Sequence, residues 1–300
     1  GKSAGAAITT GAYNVAVGHS ALDSNTTASY NTATGYKAME DNTTGHSNTA
    51  FGVTALQKNT DADYNVAVGY NSAAQNTTGV QNTALGCFAL DANTTAANNT
   101  AVGYNAGGAN TTGTLNTAVG SEALKTNTTG GYNVAIGQNA LNANTTASNN
   151  TAVGQGALAV NTTGFDNTAV GSLALDANTT GNQNTAVGQE CMTTNTTGVN
   201  NVALGHRALK LNTSGSSSTA LGQSALEANT TGDNNTAVGV KALEANTTGN
   251  QNTAVGQNSL IVNTTGAYNV AVGGAAGDAN TTGDENTTIG YGSLSSNTTG

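Results

Sequence analysis

From Ile8 onward the chain divides into seventeen consecutive units of 17 residues without one insertion or deletion, and then runs four residues into another. Perfect phasing over so many units is the signature of rungs that stack on one another, because an insertion in one rung disturbs its neighbours. Asn127 to Ala143, NTTGGYNVAIGQNALNA, is a typical unit, and its residues number slots 1 to 17. Residues 1–7 read as part of a preceding rung and 8–300 as one continuous array, a window of a longer repeat.

The period overrides a composition that otherwise points to disorder. Leu, Ile, Val and Phe make up roughly 15% of the 300 residues, and only 8% are charged. Asn, Thr, Ala and Gly dominate, and they are ordered by slot. Slot 11 is Gly in all seventeen units, from Gly18, Gly35, Gly52, Gly69, Gly86, Gly103, Gly120 and Gly137 onward. That marks a corner with positive φ or no room for a Cβ. Slot 4, always Gly or Ala, is a second corner. Asn holds slot 1 after the first unit and slot 7 everywhere but Ser218. Asn tolerates left-handed turns, and stacked Asn side chains form amide ladders.

The segments between corners are too short for helices. Asn133-Val134-Ala135-Ile136 alternates, so slots 8 and 10 share one face and Ala at slot 9 takes the other. Slot 10 is nearly always Val, Leu or Ile, slot 15 is usually Leu, and slot 14 is only Ala, Ser or Cys. This pattern predicts an all-β parallel β-solenoid, or β-roll, of seventeen rungs on the order of 80 Å long. All nine tyrosines sit at slot 6 or 12. Four of the five at slot 6 (Tyr13, Tyr64, Tyr132, Tyr268) precede Val rather than Thr at slot 8, as a shared face requires. The large side chains at slots 10 and 15 are few for seventeen ordered residues. The Ala face at slots 9 and 14 is therefore expected to meet an identical face on another chain.

Asn14-Val15-Ala16-Val17-Gly18, Asn133-Val134-Ala135-Ile136-Gly137 and Asn201-Val202-Ala203-Leu204-Gly205 resemble the head repeats of trimeric autotransporter adhesins. Similar repeats occur in phage tail fibres and bacterial surface proteins. The resemblance implies a left-handed roll with three chains about one axis. The Asn-Thr-Thr-Gly segment lengthens the unit relative to that family, and Thr often stands where the family has Val.

Nothing in the sequence assembles a catalytic or cofactor site. His19, His46 and His206 fall at turn slots, the outer two on the order of 50 Å apart, beyond the reach that catalytic partners need. Cys87 and Cys191 lie six rungs, about 29 Å, apart and do not pair within the chain. Acidic residues recur at slot 16 (Asp23, Glu40, Asp91, Asp176, Glu227, Glu244, Asp278). Calcium is the one ion they suggest, but it needs six to eight oxygens, so a solvated face is the simpler reading. Asn-Thr-Thr also matches the N-glycosylation sequon. Asn25, Asn42, Asn76, Asn93, Asn110, Asn127, Asn144, Asn161, Asn178 and Asn195 are candidates, at what the repeat suggests is an exposed corner. The competing reading is that they serve turn geometry and ladders.

A net charge of -9 with only seven Lys and Arg argues against nucleic acid as a partner. No apolar run approaches the roughly 20 residues of a membrane span. The expectation is a non-enzymatic structural rod in an extracellular fibre, filament or adhesin shaft, at a cell surface or on a virion. Its partners would be copies of itself and an unidentified surface ligand. The alternative is a solenoid that binds carbohydrate or ice through its repeated Asn/Thr face.

Overall fold

The computed structural model describes residues 1–299 and is a parallel β-solenoid of seventeen rungs. It forms two compact units, Gly1–Asn150 and Thr151–Gly300. In the first, eight strands run from β1 (Val15–Val17) to β8 (Val134–Ile136). In the second, nine run from β9 (Thr151–Val153) to β17 (Thr287–Ile289). Each strand has three residues, at slots 8 to 10. Within each unit, successive strands pair in parallel at an offset of 17 residues, as in Val15↔Thr32 and Thr117↔Val134 of the first unit and Thr168↔Thr185 of the second.

The strands are short because the rest of the rung turns, and the turns are built on left-handed residues. The slot-11 glycines from Gly18 to Gly137 have φ between +132° and +145°. A Cβ on Gly35 would also lie 2.2 Å from the carbonyl oxygen of Gly52 in the next rung. No other residue fits there. Slots 6, 13 and 15 are left-handed too, as at Tyr132 (φ 58°), Asn139 (φ 58°) and Leu141 (φ 50°). Such conformations cost non-glycine residues about 1–2 kcal/mol each.

Rung-to-rung hydrogen bonding through the turns offsets that cost. Gly35 and Lys37 donate back to Val17 and His19, and Leu22 and Ser24 donate forward to Ala38 and Glu40. The turn backbone is thus paired much as the strand backbone is.

The interior differs from the sequence expectation. Ala135, Ala140 and Leu141, at slots 9, 14 and 15, are all fully buried within one chain. Slot 10 points outward: Ile136 is 40% exposed and Leu204 50%. The Ala columns therefore do not wait for a second chain, and slot 10 is not core. The rung is thin, so its opposed walls leave room only for methyl groups at slots 9 and 14, with Leu filling the wider end. Branched side chains at slot 10 have no space inside.

Candidate functional site

The interior carries a polar spine as well as an apolar one. Asn at slots 1 and 7 is buried from Asn25 to Asn280 and from Asn31 to Asn269, with none of them more than 4% exposed. At slot 1, Asn110 Nδ2 donates to the Gly113 carbonyl of its own rung (2.9 Å) and to Asn93 Oδ1 of the preceding rung (3.1 Å). Its own Oδ1 accepts from Asn127 Nδ2 (2.8 Å). At slot 7, Asn99 Nδ2 donates to the same Gly113 carbonyl (3.0 Å), and its Oδ1 accepts the Asn116 backbone N–H (2.9 Å). One slot-4 carbonyl per rung therefore ties two asparagine ladders together. The second unit repeats this, with Asn246 Nδ2 at 3.0 Å and Asn235 Nδ2 at 2.7 Å both on the Gly249 carbonyl, and Asn246 Nδ2 on Asn229 Oδ1 at 2.9 Å.

The sequon asparagines of the repeat lie inside the rung. Nδ2, the atom to which an N-glycan is joined, is buried and has both hydrogens engaged in Asn42, Asn76, Asn93, Asn110, Asn127, Asn178 and Asn195. Asn25, Asn144 and Asn161 are equally buried. The slot-2 threonine of the motif is committed as well: Thr77 Oγ1 donates to the Thr94 carbonyl (2.9 Å) and Thr128 Oγ1 to the Thr145 carbonyl (3.0 Å). The ladders account for the Asn and the first Thr of the motif; the second Thr, which carries the sequon hydroxyl, is exposed, as at Thr78 and Thr129. The asparagines of the expected Asn/Thr face are likewise inside, which leaves its threonines as the outward part.

A third ladder was not foreseen. Where slot 5 is Ser, His, Asp or Asn, its side chain supplies an acceptor to the preceding rung; elsewhere the ladder is interrupted. The Ser29 N–H donates to His46 Nδ1 (3.0 Å), the His46 N–H to Asp63 Oδ1 (2.6 Å) and the Ser216 N–H to Asp233 Oδ1 (2.7 Å). The available signal was the recurrence of Ser, His, Asp and Asn at that slot.

The outward side of each strand bears slots 8 and 10: Thr or Val in one column, and Val, Leu or Ile in the other with Thr34 and Phe51 as exceptions. Neither column holds a charged residue in any rung. The strands' burial repeats along each unit, with the middle Ala inside and its neighbours half-buried or exposed. Val15, Val17 and Phe51 are 48%, 55% and 59% exposed. This makes an uncharged Thr/Val strip on the outer sheet face.

The chemistry-bearing residues are dispersed. His19, His46 and His206 are exposed. Both cysteines are free; Cys87 is exposed and Cys191 buried, and burial pushes the Cys191 thiol up to about 12. At slot 16, Glu40 pairs with Lys37 (3.0 Å), Glu227 with Arg207 (2.8 Å) and Glu244 with Lys241 (3.1 Å). Burial raises the carboxyls of Asp91 and Asp176 above their ordinary value. Among the described residues no three His, Cys, Asp or Glu side chains are placed to share a metal ion, and no helix is long and apolar enough to cross a membrane. No protein-family model matches the chain, and no curated protein matches it.

Proposed function

We propose that this chain is a structural rod of an extracellular fibre or adhesin shaft, assembled from copies of itself through the Thr/Val strip. The observation that carries this reading is the pairing of a self-sufficient interior with an uncharged, half-apolar outer strip repeated in every rung. Monomeric soluble proteins rarely leave so long an apolar patch uncovered, and a face that recurs identically along a solenoid is self-complementary to other copies in register. The resemblance to trimeric adhesin heads supports three copies, with the strip, rather than the alanines, on the shared axis.

Light scattering on the 29.3 kDa chain tests this. The native protein is expected near three protomers, and a variant carrying Val102→Lys, Val119→Lys, Val170→Lys and Val187→Lys is expected to be a folded monomer. A native monomer rejects self-assembly. It would favour instead the second use of a regular Thr/Val array, ordering water or ice, which thermal hysteresis would then reveal.

A further inference from the structure

We propose that the first unit carries a binding platform for a neutral, linear β-1,4-linked polysaccharide, formed by Tyr36, Tyr70 and Tyr104. The three tyrosines occupy slot 12 in alternate rungs and are almost equally exposed, at 48%, 49% and 53%. Parallel strands place them about 9.6 Å apart, two rung spacings. In a β-1,4-linked chain each sugar is flipped relative to the last, so every second sugar offers the same C–H face. A period of two rungs suits that alternation, and a tyrosine in every rung would not.

The rings are also held in place. Phe88, half-buried, stands edge-to-face to Tyr70 (5.3 Å, 81°) and to Tyr104 (6.0 Å, 88°), so both tyrosines keep one attitude relative to it. A side chain fixed before binding loses less freedom on binding. Each tyrosine is followed by a half-buried polar residue (Lys37, Asn71 and Asn105); Lys37 Nζ lies over one face of Tyr36 (5.8 Å) and pairs with Glu40 (3.0 Å), so the donors beside the rings for sugar hydroxyls are the amides of Asn71 and Asn105. Aromatic surface flanked by a few placed polar groups is the usual composition of a small-molecule site.

The arrangement is local rather than a by-product of the repeat. Slot 12 holds no tyrosine or phenylalanine from Gln155 to Gly274. The slot-6 tyrosines do not follow the two-rung period: Tyr13 and Tyr30 are in adjacent rungs and stack at 5.1 Å and 12°, which covers one face of each, and Tyr64, Tyr132 and Tyr268 are two to eight rungs from the next tyrosine at that slot. The platform is also separate from the Thr/Val strip, so the proposal does not depend on self-assembly.

Binding to microcrystalline cellulose and to chitin, with cross-linked dextran as the α-linked control, tests the proposal. The native protein should be retained on at least one β-1,4-linked solid and displaced by soluble β-1,4-linked hexasaccharide but not by maltohexaose. Tyr36→Ala/Tyr70→Ala/Tyr104→Ala should weaken retention at least tenfold, whereas Tyr13→Ala/Tyr132→Ala/Tyr268→Ala should retain it. Circular dichroism and solution mass should not change in either variant. If the first triple variant does not fold, Tyr70→Ala alone, expected to weaken binding about tenfold, decides. Absence of retention on both solids, or equal loss in the slot-6 variant, overturns the proposal.

Discussion

At the scale of single residues, the inside of this solenoid is defined by smallness and amide chemistry rather than by hydrophobicity. Ala118 at slot 9 is 2% exposed, while Val119 beside it faces out and is half-buried. Ala118→Val should therefore overpack the rung and cost about 1–3 kcal/mol in chemical denaturation. Val153→Thr, the same slot-10 exchange in a rung that the lysine substitutions leave untouched and the residue found at Thr34, should stay within about 0.5 kcal/mol in that monomeric variant. A core built on slot 10 gives the opposite order. Asp176 offers a pH test. Burial raises its folded-state pKa above 3.8, and its Oδ1 is buried without a partner. A raised carboxyl pKa means that the folded state holds the proton more tightly, so ionisation destabilises. The penalty is absent below the unfolded value, develops as pH rises through it and is complete above the folded value. Asp176→Asn should raise the melting temperature at pH 7, with the gain shrinking as pH falls towards 3.8. A gain that persists unchanged at low pH would assign it to packing instead.

At the scale of the rung, period, corners and strand position were all legible. Invariant Gly at slot 11, alternation over slots 8 to 10 and the Tyr–Val coupling placed three-residue strands at Val15–Val17 and its successors. Which face points inward was not legible, because alternation alone is symmetric. The usual tie-breaker, larger apolar residues inside, fails when two walls approach to methyl contact. The burial of the sequon asparagines was not legible for a related reason: Asn and Thr are surface residues in most folds, but here Asn and the first Thr of the motif donate to backbone carbonyls along the stack. The ladders make this testable. Asn110→Ala strips Asn127 of its acceptor and removes one of two donors from the Gly113 carbonyl. It should cost about 1–3 kcal/mol. Asn110→Asp, which places a carboxylate against that carbonyl, should cost more, and equilibrium denaturation of both variants will show the order. Equal stability of either with the native chain would contradict the ladder.

At the scale of the whole molecule, stability is distributed over many equivalent interfaces, as expected when each rung contacts only its neighbours. Surface slots are then free to vary without disturbing the ladders, as slot 12 does, with tyrosines at Tyr36, Tyr70 and Tyr104. One chain closes its own interior, with the alanine columns inside it. The two native thiols report on this directly. Cys191 stands at slot 14, fully buried beside the alanine columns, with its thiol raised to about 12, while Cys87 is exposed. In the outer-strip lysine variant, a folded monomer should react rapidly with a thiol reagent at one site per chain, Cys87. Cys191 should react only on denaturation. Two rapidly reacting thiols in that folded monomer would mean that slot 14 faces solvent once the chains separate, and that the interior needs more than one chain.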